Sequence, residues 1–143
     1  HPVGEEEARP QADVAAQVQR LDLARRVSLL GHRPDVARVL AGVDLLLLPS
    51  DSEGMPGVAI EAQMAGCPVV AFPVGGVAEV VTPEVGRLVE LGDLEALAEA
   101  ALDLLESPRL PEIRRRAREW ALLRFHPERI TRAYLEVYAQ ALG

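Results

Sequence analysis

The sequence predicts an α/β chain, a parallel sheet with flanking helices followed by a helical C-terminal tail. Short apolar blocks at 27–30, 45–48, 69–72 and 86–91 recur between stretches of helical periodicity. Strands that alternate with helices build βα units and hence a parallel sheet. The first three blocks are closed by Gly31, Pro49 and Pro73, residues that end strands. From residue 93 onward only helical spacing remains.

The elements follow in order. Val14, Val18, Leu21 and the intervening alanines share one side of a helix expected over about 12–24, and residues 1–11 are expected to be flexible. "VSLL" at 27–30 reads as a strand, followed by a helical stretch from about Pro34 to Ala41. "LLLL" at 45–48 is short, apolar and without alternation, the pattern of a strand covered on both faces. "PVVAFP" at 68–73 is β-branched, aromatic and bracketed by prolines, and "GRLVEL" at 86–91 is a last, shorter strand. In the tail, Asp93 is suited to cap a helix carrying Leu94, Leu97, Ala98, Ala101 and Leu105 on one side. "SPRLPEIRRRAREWALLRF" forms a second helix. A third follows, with Pro127 at its first position and Ile130, Ala133, Tyr134, Val137 and Ala141 on one face.

Composition narrows the function classes. The 143 residues are one domain's worth of chain, 49% hydrophobic and 26% charged, as expected of a globular domain. A net charge of -7 argues against nucleic acid, whose phosphates require a basic face. The lone Cys67 cannot form an internal disulfide, which fits a reducing, cytoplasmic setting. No apolar run approaches the roughly 20 residues that span a bilayer, and no signal peptide is visible. The first residue is His rather than Met, so the chain is expected to be a fragment or a processed form. All 15 basic residues are arginine, and no chemistry here can use a lysine.

The segment "PSDSEGMPGVAIEAQMAGCPVVAFPVGG" at 49–76 holds the candidate site. Ligands of open parallel sheets bind beyond the carboxyl ends of the strands, where turns lead into helix N-termini. The helix expected to begin near Pro56 offers unpaired N–H groups and a partial positive charge, and Gly54 and Gly57 allow close approach of a phosphate. The spacings of a P-loop and of a dinucleotide fingerprint are both absent. Glu53 and Glu61 flank this cradle with seven residues between them. Carboxylates beside a phosphate site make sense if the ligand also carries hydroxyls, because they accept strong hydrogen bonds from sugar O–H groups. Two carboxylates around a diphosphate cradle suit a nucleotide sugar.

These residues resemble the C-terminal domain of the retaining glycosyltransferases of the GT-B fold, group 1 (family 4). The E-x7-E signature stands as Glu53…Glu61. It is followed by "AG-x-PVVA-x-x-VGG-x-x-E", "G-x-LV", "GD-x-EALAEA" and a "RF-x-PER" tail, so the similarity runs through nearly the whole chain after about residue 12. The resemblance implies a Rossmann-like sheet of strand order 3-2-1-4-5-6, of which the first two strands are expected to be missing here. Glu53 would bond hydroxyls of the donor sugar as a positioning group during front-face attack. Glu61 would hold the ribose. Gly54, Met55, Pro56, Gly57 and Val58 would surround the diphosphate, with Arg33 near the nucleobase. No metal or other cofactor is implied. The partner implied is an N-terminal acceptor-binding domain, absent from this sequence together with an arginine and a lysine that face the diphosphate in similar enzymes. Without them the chain is expected to bind donor but not to complete transfer. Lacking their shared neighbours, the strands at 27–30 and 45–48 are expected to pair directly or across a dimer.

Other readings stand beside these. A non-catalytic nucleotide-sugar binding module predicts donor binding without transfer, and a GT-B-like sugar-nucleotide epimerase shares the fold but not these motifs. Glu61 is also what a helix dipole selects, and Glu53 could be a solvated loop acid. Cys67 reads as a small buried residue. Arg114, Arg115, Arg116 and Arg118 read as a solvated helix face, with contact to the inner face of a membrane as the rival. His32 and His126 lack metal-ligand spacing, and the role of Glu79 is open.

Overall fold

The computed structural model describes residues 8–142, which fall into two compact units, one ending at Pro34 and the other beginning at Asp35. The first contains α1 (Ala8–Arg20), which starts four residues before the predicted helix; the expectation for residues 1–7 lies outside the described chain. Asp22 ends α1 early by adopting a left-handed φ of 53°, and Leu23 N–H then donates back to the Val18 carbonyl at 2.9 Å.

The strand expected at 27–30 is not formed. Val27–Leu30 joins no ladder among the described residues, and Leu29 and Leu30 are exposed. An apolar run becomes a strand only where a neighbouring backbone takes its hydrogen bonds, and none does so here. With no strand there, the pairing expected of this run is not formed among the described residues.

The second unit contains α2 (Val36–Ala41), β1 (Leu46–Leu48), α3 (Gly57–Met64), β2 (Val69–Ala71), α4 (Val77–Val80), β3 (Gly86–Leu88), α5 (Leu94–Glu106), α6 (Leu110–Phe125) and α7 (Pro127–Leu142). The three strands form a parallel sheet in chain order, with Leu46, Val69 and Gly86 in register. This order matches the 4-5-6 limb that the resemblance implies.

Alternation along the strands separates two cores. Val69 and Ala71 join Leu46, Leu48 and Leu88 against Leu40, Ala59, Ala62, Val77 and Val80. On the opposite face, Val70 and Phe72 pack against Leu97, Ala101 and Leu104 of α5 and Ile113 of α6. Only β2 is buried at every position. The run 45–48 is covered on both faces only in part: Leu45, just before β1, packs against the second core, but β1 lies at the edge of the sheet. Its Leu46 and Leu48 reach the first core, while Leu47 points the other way and stays 46% exposed. The three tail helices form as the sequence predicts: the Asp93 carboxylate caps α5 by accepting from Ala96 N–H at 2.9 Å, and Pro111 and Pro127 lie at the starts of α6 and α7. The buried side of α5 differs from the expected one, being Leu97, Ala101 and Leu104, while Leu94, Ala98 and Leu105 are exposed.

Candidate functional site

Residues 49–56 leave the carboxyl end of β1 and enter α3, whose first turn faces outward. Ala59 and Ala62 bury one side of α3 in the first core, which turns Gly57, Val58 and Glu61 together onto its exposed side. Pro56 precedes the helix as a buried residue whose carbonyl accepts from Ala59 and Ile60 N–H at 3.0 and 3.2 Å. The N–H groups of Gly57 and Val58 have no acceptor among the described residues. They are the open donors expected where a helix begins without a capping side chain.

Glu53 is half-buried on the loop before them, and Glu61 is exposed on the second turn behind. Neither carboxylate has a hydrogen-bond or ion-pair partner among the described residues. Gly54 and Met55 are exposed between Glu53 and the helix. The fold thus brings together seven of the eight residues singled out from sequence. The eighth, Arg33, belongs to the other compact unit, where it is exposed.

Two residues of this region belong to the quoted motif but receive no role from sequence alone. Gly75 and Gly76, in the turn after β2, lie against the loop that carries Glu53, and Gly76 N–H donates to the Gly54 carbonyl at 2.8 Å. A paired glycine after a strand was visible, but its partner lies some twenty residues earlier in the chain, and no local pattern encodes that contact.

The arginines of α6 are occupied within the protein. Arg114 pairs with Asp44 at 2.9 Å, Arg115 with Glu119 and Arg116 with Glu112, while Arg118 donates to the Met64 carbonyl. Among the described residues no group of three acidic, His or Cys side chains could hold a metal, and no helix is long and apolar enough to cross a membrane.

Comparison with known proteins bears on this geometry. The pattern of the family described as glycosyl transferases group 1 matches residues 1–107 of 143. The chain belongs to this family. N-acetyl-alpha-D-glucosaminyl L-malate synthase of Bacillus anthracis is 36% identical over 127 residues, 87% of this chain and 33% of that protein. D-inositol 3-phosphate glycosyltransferase of Mycobacterium marinum is 40% identical over 136 residues, 91% of this chain and 29% of that protein. The Anabaena protein HepE, solved in complex with UDP, superposes with a TM-score of 0.85 at 29% identity, covering 95% of this chain and 38% of HepE. HepE has also been solved with UDP-glucose. Such likeness supports a C-terminal GT-B glycosyltransferase domain, and the chain spans about a third of the length of the curated relatives it matches.

Proposed function

We propose that this chain is the donor-binding part of a group 1 glycosyltransferase and holds a nucleotide-diphosphate sugar on the turn after β1. The observation that carries the reading is that Glu53 and Glu61, which flank Gly57 and Val58 in sequence, have no partner among the described residues, and neither do those two helix-start amides. Gly57 and Val58 N–H groups donate to the diphosphate, favoured by the positive end of α3. Glu61 accepts from the ribose hydroxyls, and Glu53 accepts from hydroxyls of the transferable sugar. Pro56 contributes shape rather than a donor, since it has no N–H. Gly54 and Met55 line the approach.

In this reading the chemistry is positioning. Glu53 fixes the sugar ring so that an acceptor hydroxyl attacks the face from which the phosphate departs, giving retention at the anomeric carbon without a metal. The acceptor is held by another domain, so the 143-residue chain binds donor without completing transfer. UDP and UDP-glucose, the ligands in the HepE structures, are the first candidates.

A thermal-shift and calorimetric screen against UDP, GDP, ADP and their sugar conjugates tests the proposal. A ligand at about 100 times its dissociation constant should add about 2.7 kcal/mol to stability. Glu61→Ala is expected to abolish stabilisation by nucleotide and conjugate alike. Glu53→Ala should retain the nucleotide and lose only the advantage of the conjugate. If no nucleotide stabilises the wild type, the donor reading fails for this chain.

A further inference from the structure

The loop that carries Glu53 has little holding it. Among the described residues, positions 51–55 make a single hydrogen bond, from Gly76 N–H to the Gly54 carbonyl. The same turn meets the loop closely at a second point. A Cβ added to Gly75 would overlap the Glu53 carbonyl oxygen and lie 2.8 Å from its carbon, and Gly75 itself has a φ of +51°. A Cβ added to Gly76 would come 2.7 Å from the Gly54 carbonyl oxygen and 3.5 Å from the Met55 Cα. Any side chain at either position must therefore displace the backbone of Glu53 or Gly54.

We infer that the Gly75–Gly76 turn positions the sugar-binding end of the site. It sets where the Glu53 carboxylate stands relative to the Gly57 and Val58 amides; this rests on the donor reading above. The two ends of the site are supported differently. Glu61 is fixed by α3, whose buried face is anchored in the first core, whereas Glu53 depends on a contact with the turn after the next strand. Disturbing the turn should therefore remove recognition of the sugar and spare recognition of the nucleotide. A fault in folding would lower both.

Gly76→Ala is the informative variant, because a φ of -78° suits alanine and only the contact with the loop is challenged. Gly42→Ala is the control, with its nearest neighbour at an ordinary 3.6 Å. UDP and UDP-glucose are titrated into the wild type and both variants, and amide hydrogen exchange is followed in parallel. Gly76→Ala is expected to lose about tenfold of its UDP-glucose affinity, the scale of one charge-assisted hydrogen bond, while UDP affinity stays within about twofold. Gly42→Ala should match the wild type in both. In the wild type, the Gly76 amide should exchange at least about tenfold more slowly than an open turn amide, a readout that needs neither mutation nor ligand. An unprotected Gly76 amide, or a Gly76→Ala chain that keeps the wild-type preference for UDP-glucose over UDP, overturns the inference. A wild type that binds neither ligand while its Gly76 amide is protected removes the donor reading and leaves the brace standing.

Discussion

A glutamate in the first turn of a helix is stabilised by the helix dipole whether or not it binds anything, and from sequence Glu61 could be such a residue. In the fold α3 begins at Gly57, so Glu61 stands on the second turn, where that effect has largely decayed. Its dipole explanation weakens, while its lack of a partner leaves it available to a ligand. Cys67 is the opposite case, a residue whose surroundings exclude chemistry. It is fully buried, and burial pushes its thiol up to about 11, against a smaller lowering by Arg114 and a small rise from Asp44. Above about pH 9 the unfolded thiol ionises while the folded one keeps its proton, so the folded state binds more protons and stability falls with rising pH. Denaturant unfolding across about pH 9 to 11 should show wild-type stability declining more steeply than that of Cys67→Ala. Coincident slopes would assign the decline to other groups.

Elements form where local preference and long-range pairing agree. Asp93 was readable because a cap is a local device, and Asp93→Ala should cost about 1 kcal/mol in chemical denaturation. Gly86 carries the opposite lesson. Local preference favours alanine over glycine in a strand, yet a Cβ there would overlap the Val69 carbonyl and lie 2.7 Å from Val81 Cγ1. Gly86→Ala should therefore destabilise by about 2 kcal/mol or more, and a neutral result would mean that β2 and β3 can separate freely. The same division explains which parts of the fold were legible. Capping residues, prolines and helical periodicity predicted α2, α3, α5, α6 and α7, and β2 announced itself by β-branched residues between prolines. The strand at 27–30 failed, and the double coverage of residues 45–48 held only in part, because both depend on a neighbour that composition cannot supply. The four-residue α4 is too short to show a period. At the site, the seven residues around α3 were legible as one contiguous motif, while the Gly75–Gly76 brace, a contact between two separate loops, was not.

Over the second unit as a whole, burial declines toward the tail. α5 buries Leu97, Ala101 and Leu104, and α6 buries Ile113, Ala117 and Ala121. α7 buries none of its sixteen residues, although Ile130, Tyr134, Val137 and Tyr138 form an apolar stripe along it. Tyr134 and Tyr138 contact each other, with ring centroids 6.4 Å apart, and an open groove of about 460 Å³ lined by Leu122, Leu123, His126 and Arg129 separates α7 from α6. A helix of this length without tertiary burial is marginal in water, because its stability rests on propensity and short-range pairs alone. α7 should therefore open independently of the sheet. Its amides from Thr131 onward are expected to exchange orders of magnitude faster than those of Leu97 to Leu104. Ending the chain after Phe125, which still packs on the first core, should reduce the helical circular-dichroism signal and leave the thermal midpoint nearly unchanged. Protection in α7 equal to that in α5, or a large fall in the midpoint on truncation, would show that the stripe is covered in solution and contributes to the folded state.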